Sequence, residues 1–283
     1  MSKGNGMHIK KITINKTLTH LVLLVFSITM MVPFLWMFLT SFKTVAQSIQ
    51  LDPFLFFPTQ WNTDSYVRVI NNMNFLLLYK NTLLFILFRI LCAVVTASMA
   101  GYAFGRLKFK GVGIAFSLVL FQMMIPTQIF IIPQYQMISR MRMTNTLFAL
   151  VFPGLVTAFG TFLMRQAYMA LPRELEEAAR LDGLNIGKTF LLIMAPLTKS
   201  SLVALSVFTA VFAYKDLMWP MIVNTSKDSL VLASALAKMQ GQFAAHYPEL
   251  MAASLIACIP MIVLYFIFQK QFIEGIATSG GKL

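Results

Sequence analysis

The chain has 283 residues, 58% of them hydrophobic and 12% charged, with 23 Lys and Arg against 10 Asp and Glu and a formal net charge of +13. A soluble globular protein has roughly 45–50% apolar and ~25% charged residues, so this composition argues against a disordered chain and against a water-soluble enzyme. The basic excess lacks the aromatic-interleaved patch of a nucleic-acid binder and fits the Lys and Arg that flank membrane spans, so no nucleic acid is expected as a partner.

Six apolar runs reach the ~20 residues that a helix needs to cross a bilayer: 18–42, 75–101, 113–133, 147–168, 201–223 and 250–272. Pro33, Pro126, Pro153, Pro220 and Pro260 fall within them, a pattern that membrane helices tolerate because neighbouring groups re-satisfy the freed backbone. The first run is too long for a signal peptide and no small-x-small cleavage site follows it, so it reads as a retained helix. In the first outer loop Pro53, Pro58 and Trp61, and in the last His246, Tyr247 and Pro248, predict short irregular or surface-lying elements. Fourteen Lys and Arg fall on the side of the N-terminus, including the turn 106–110, the segment 165–199 and the tail; seven fall on the other. The positive-inside rule makes the richer side cytoplasmic and puts both termini there. The expectation is an all-α polytopic membrane protein with six transmembrane helices in one domain, 1–283. Cys92 and Cys258 lie inside apolar runs and read as small buried hydrophobes.

The most informative stretch is 171–196, Leu-Pro-Arg-Glu-Leu-Glu-Glu-Ala-Ala-Arg-Leu-Asp-Gly followed by Leu-Asn-Ile-Gly-Lys-Thr-Phe-Leu-Leu-Ile-Met-Ala-Pro. Pro172 suits the first turn of a helix, Glu174, Glu176 and Glu177 favour its positive end, Ala178 and Ala179 propagate it and Gly183 stops it. Asn185 can cap a second short helix, and Pro196 precedes the next span. Leu171, Leu175, Ala178 and Ala179 form a narrow apolar stripe, and Glu176 with Arg180 makes an i,i+4 pair. On residues alone this is either an amphipathic connector resting on headgroups or a docking element. The run 183–189 imitates a phosphate-binding loop, but three residues separate its glycines where four are required, and it follows a helix rather than a strand.

Glu177-Ala178-Ala179, Gly183, Ile193 and Pro196 resemble the EAA loop of ABC importer permeases, E-A-A-x3-G-x9-I-x-L-P, with Ala195 where Leu is usual. The segment 100–111, Ile125-Pro126 with Ile132-Pro133, Arg165-Gln166 leading to Leu171-Pro172, and the tail are similar to the second permease of the maltose-type carbohydrate importers. Tyr214-Lys-Asp-Leu-Met-Trp-Pro220 looks like that family's W-N-x-F-x-W-P, with Tyr and Lys replacing Trp and Asn. The resemblance implies the type I importer permease fold and a cytoplasmic coupling loop at about 170–196. Glu174, Glu177, Ala178, Ala179, Asp182, Gly183, Ile193 and Pro196 would then couple to an ATP-binding subunit. It further implies a second permease, two ATP-binding subunits, an extracytoplasmic solute-binding protein and a carbohydrate substrate. ATP and Mg would bind the partner subunits, with no cofactor on this chain, and the cytoplasmic tail 269–283 would reach those subunits.

Charges inside spans are functional candidates because burying them is costly. Arg89 lies within the second run and Lys215 and Asp216 within the fifth. Tyr214, Lys215 and Asp216, with Asn81 and Gln122, are candidates for a substrate pathway. The structural alternative has Lys215 reaching outward and Asp216 pairing with Arg89 or capping the Pro220 break. Gly101 and Gly105 permit close helix packing, within the chain or against a partner permease. His8, His20 and His246 are scattered without metal-ligand spacing, and no nucleophile-and-base pair suggests catalysis. A stand-alone ion-coupled transporter, with Arg89 and Asp216 as a charge relay, is the alternative function.

Overall fold

The computed structural model describes residues 5–242 and 246–279, and side chains over 16–240 and 246–269. Among the described residues there is no strand. Three helices are long and apolar enough to cross a membrane: Lys16–Ser41, Phe75–Arg106 and Tyr247–Gln269. Three further candidates are bent pairs: Val112–Met124 with Thr127–Arg140 at 98°, Leu147–Gly154 with Ala158–Met169 at 52°, and Ile186–Leu197 with Lys199–Lys215 at 76°.

Two of the bends fall inside the expected runs at 113–133 and 147–168, near Pro126 and Pro153, and the third precedes the run 201–223. Pro126 pushes Ile125 into extended backbone, φ −86° and ψ 125°, so the helix stops before it. Thr157 restarts the chain after Pro153 by accepting a hydrogen bond from the Gly160 N–H. The run 201–223 is a helix Lys199–Lys215, an extended Asp216, and a short helix Met218–Val223. The second span continues past the expected Gly101 to Arg106. Tyr247 and Pro248 open the last helix instead of forming an irregular loop.

The chain forms two compact units. The first comprises 1–73 and 239–258. In it the apolar side chains of the first helix, among them Leu21, Leu24, Phe26 and Met30, are exposed, as befits a surface covered by lipid. Its C-terminal end meets an aromatic cluster. Trp36 stacks on Phe54 with centroids 5.5 Å apart, and Phe42 contacts Trp61 and Tyr66. Buried Lys43 places its ammonium 4.3 Å from the Trp36 ring centroid and donates to the Leu55 carbonyl at 2.6 Å. Arg68, in the helix Asp64–Asn72, pairs with the nearly buried Glu249 at 2.7 Å.

The second unit comprises 74–238 and 259–283. The helix Phe75–Arg106 is its axis, packed by Ala158–Met169 and Lys199–Lys215. A Cβ added at Gly101 would lie 2.6 Å from Met164 Cβ, and one at Gly105 would lie 3.3 Å from the Arg165 carbonyl oxygen. The glycine pair therefore serves packing inside this chain, and at Gly101 only glycine allows the approach. Ala97, Tyr102, Met164, Tyr168, Met194 and Leu205 form one core at this end, with Ser98 Oγ and Tyr168 OH 2.6 Å apart. A second core gathers Phe85, Ile138, Leu150 and Trp219, and the Trp219 indole N–H donates to the Ala149 carbonyl at 2.8 Å.

Candidate coupling element and intramembrane polar residues

The predicted helix–Gly–helix is present. Its first helix is Glu174–Leu181, with Glu174, Glu176 and Glu177 in the first turn. Pro172 precedes this helix instead of occupying its first turn, and Arg173 stands at the cap position. Gly183 adopts φ +77°. Its N–H bonds the Arg180 carbonyl at 3.0 Å, and the Leu184 N–H bonds the Ala179 carbonyl at 2.9 Å. This pair of bonds is a Schellman stop, which consumes the last carbonyls and favours glycine at the left-handed position. Asn185 then caps Ile186–Thr189, its side chain accepting from the Lys188 N–H at 2.9 Å. Phe190–Met194 widens into a π-helical turn in which the Ala195 N–H reaches back five residues to the Phe190 carbonyl. Ala195–Leu197 and the break at Thr198 follow.

The EAA-like residues divide by environment. Glu174, Glu177, Ala178, Asp182, Gly183 and Pro196 are exposed, Ile193 is half-buried, and Ala179 is buried. Leu181 is 90% exposed and Ile186 is 55% exposed, so the turn presents apolar groups beside carboxylates. Glu176 does not follow the i,i+4 expectation: its ion-pair partner is Arg106, with Nε to Oε2 at 3.0 Å. Arg106 also donates from Nη1 to the Leu171 carbonyl and from Nη2 to the Pro172 carbonyl, both at 3.0 Å. The Tyr102 hydroxyl lies beside the same carboxylate. Two recesses flank this helix. One, about 530 Å³, is lined by Tyr102, Arg180, Leu184 and Asn185; the other, about 470 Å³, by Arg106, Lys108, Arg173 and Glu177.

The candidate pathway residues have different surroundings. Asn81 donates to the carbonyls of Asp228 and Leu230 at 2.8 and 2.9 Å, while Thr82 Oγ1 accepts from the Leu232 N–H at 2.9 Å. Together they pin the loop before Leu232–Gln242. Asn81 also lines a recess of about 160 Å³ with Asn145, Asn224 and Asp228. Gln122 is exposed on Val112–Met124. Tyr214 packs on the second core, and the Lys215 ammonium sits 5.5 Å from the Phe212 ring centroid. Asp216 pairs with Arg89 at 3.4 Å and accepts from the Trp219 backbone N–H, as the structural alternative anticipated. A Cβ at residue 154 would fall 1.9 Å from Arg89 Nε, so Gly154 provides the space in which the guanidinium lies. Among the described residues there is no group of three His, Cys, Asp or Glu able to hold a metal.

Residues 93–277 match the family described as binding-protein-dependent transport system inner membrane component. The chain belongs to that family. This inner membrane component is 29% identical over 252 residues to the arabinooligosaccharides transport system permease protein AraQ of Halalkalibacterium halodurans, covering 88% of this chain and 90% of that one. It is 31% identical over 216 residues to the sn-glycerol-3-phosphate transport system permease protein UgpE of Salmonella typhi, covering 74% and 75%. Its fold matches a chain in the crystal structure of a bacterial ABC transporter involved in the import of the acidic polysaccharide alginate, with a TM-score of 0.77 and 22% identity over 92% of this chain and 97% of that one. The protein is thus a multi-pass membrane protein of the permease type, which its long apolar helices fit.

Two features of this permease escaped the sequence reading. Arg106 lies within the segment 100–111, and nothing local in the sequence indicates a partner at Glu176. Gly154 had no signal except its place next to Pro153.

Proposed function

We propose that this chain is one of two permease subunits of an ATP-driven importer for a carbohydrate. The exposed helix–Gly–helix with the EAA-like sequence carries the reading, because it presents carboxylates and apolar groups on a rigidly stopped turn. The names of the relatives support the substrate class. In this reading the whole chain is one membrane domain whose Lys- and Arg-rich side, with both termini, faces the cytoplasm. Two ATP-binding subunits hold ATP and Mg, and one of them receives Glu174, Glu177, Ala178, Asp182 and Gly183, while buried Ala179 seats the helix on this chain and Ile193 and Pro196 set the return to the next span. An extracytoplasmic solute-binding protein delivers the sugar, and the spans alternate access to it. Tyr214, Lys215 and Asp216, with Asn81 and Gln122, border the route. This chain binds and moves; it performs no covalent step. The tail 269–283 contacts the ATP-binding subunits, although its side chains from 270 onward lie outside the described residues.

The test is recovery of the tagged chain in mild detergent, followed by mass spectrometry. A second permease and an ATP-binding protein are expected, and the associated solute-binding protein then identifies the sugar or a polyol phosphate. A chain recovered alone that still transports in vesicles, insensitive to ATP and abolished by an uncoupler, would instead support an ion-coupled carrier built on Arg89 and Asp216.

A further inference from the structure

We propose that Arg106 is a positioning residue that makes the coupling helix Glu174–Leu181 and the unbroken span Phe75–Arg106 move as one body. The inference rests on the importer reading above and names the contact through which this chain would receive force. Arg106 closes the span, yet its side chain is only 4% exposed. All three guanidinium nitrogens are used. One holds the Glu176 carboxylate in the first turn of the coupling helix, and two hold the carbonyls of Leu171 and Pro172, which lead into it. A single planar fork therefore grips the start of the helix by side chain and backbone at once. Lysine, a point charge on a flexible stem, cannot reproduce that grip.

The covalent routes away from the coupling helix pass through turns and breaks. Backward, the chain reaches Ala158–Met169 through the turn whose carbonyls Arg106 holds. Forward, it passes the left-handed Gly183, a π-helical turn and the 76° break at Thr198. The span itself has no proline and no described break. At ~1.5 Å per residue it carries Arg89 roughly 25 Å from Arg106 along one axis. Arg89 holds Asp216, where Lys199–Lys215 ends. A displacement gripped at Arg106 thus reaches the break in another span without passing through a loop.

The experiment uses the complex purified through a tag on this chain and reconstituted in nanodiscs. Exposed Met99 and Arg173 are replaced by Cys and spin-labelled, with Cys92 and Cys258 changed to Ala. Label distance is measured without nucleotide and with Mg-ATP plus vanadate, and ATP hydrolysis is measured on the same sample. With Arg106 intact the 99–173 distance should differ by less than ~2 Å between nucleotide states, and in R106Q by ~5 Å or more, the scale of a one-turn slip. ATP hydrolysis should persist in R106Q, and the R106E/E176R exchange should partly restore the fixed distance. If R106Q does not assemble, R106K, which keeps the charge without the fork, is read in the same way. A distance that shifts with nucleotide when Arg106 is intact, or that stays fixed in both R106Q and R106K, overturns the proposal. Absence of any copurifying ATP-binding subunit overturns the importer reading instead.

Discussion

Gly183 holds φ +77° with its N–H engaged, so substitution there acts on the backbone before any partner is considered. Alanine would cost about 1 kcal/mol for the left-handed conformation. Proline is incompatible, because its φ is fixed near −65° and its N–H is gone. Gly183→Pro is expected to abolish uptake of the sugar found through the binding protein while leaving the amount of chain in the membrane fraction unchanged. Normal uptake would remove the turn from the coupling path. Lys43 makes a second residue-scale case. Burial pulls its pKa below the ordinary lysine value of 10.5, so between the lowered value and 10.5 the unfolded chain binds more protons than the folded one. Stability attributable to this residue therefore rises with pH across that window. Thermal unfolding of wild type against Lys43→Met should show the wild type gaining relative to the variant as pH increases toward 10; a flat difference would contradict the assignment.

At the scale of elements, the helices are held by a few polar ties across apolar faces. Arg89 and Asp216 join the axial span to the end of Lys199–Lys215, with side-chain exposures of 19% and 24%. Removing one partner leaves the other charge shielded and unpaired, at about 1–3 kcal/mol. Removing both replaces the pair by apolar packing, which is often neutral. Asp216→Leu or Arg89→Met alone should lower the unfolding temperature in detergent, and the double variant should recover most of the loss. A double variant as unstable as the sum of the singles would mean that each residue has another essential partner. Gly154 belongs to the same tie, since any side chain there would displace the guanidinium.

For the whole molecule, the apolar runs, the stop at Gly183 and the cap at Asn185 were legible because each depends on local chemistry. The bends were only half legible. Pro126 and Pro153 mark where a helix can stop, but the direction in which it resumes depends on packing. Arg106 with Glu176 was invisible, because two residues 70 positions apart meet only once the axial span and the coupling helix are both placed. The i,i+4 rule offered Glu176 a nearer partner, and the buried guanidinium won through its additional carbonyl contacts. Truncation of residues 270–283 leaves every described tie of the second unit in place. It is expected to reduce uptake per ATP hydrolysed by the assembled complex; an unchanged ratio would remove the tail from the subunit interface.

The broken spans have a consequence for hydration. A break leaves peptide groups without helical partners, and hydrocarbon offers them none, at several kcal/mol for each group stranded. The turns of 98°, 52° and 76° and the extended Asp216 therefore have to lie at a membrane surface, against protein, or along water. Uninterrupted helix, such as the exposed apolar length of Lys16–Ser41, carries no such stranded groups and can face lipid directly. A break that neither the membrane surface nor protein covers thus marks a place where solvent enters the molecule, and backbone amides next to such a break should exchange with deuterium well before those at the centre of Phe75–Arg106.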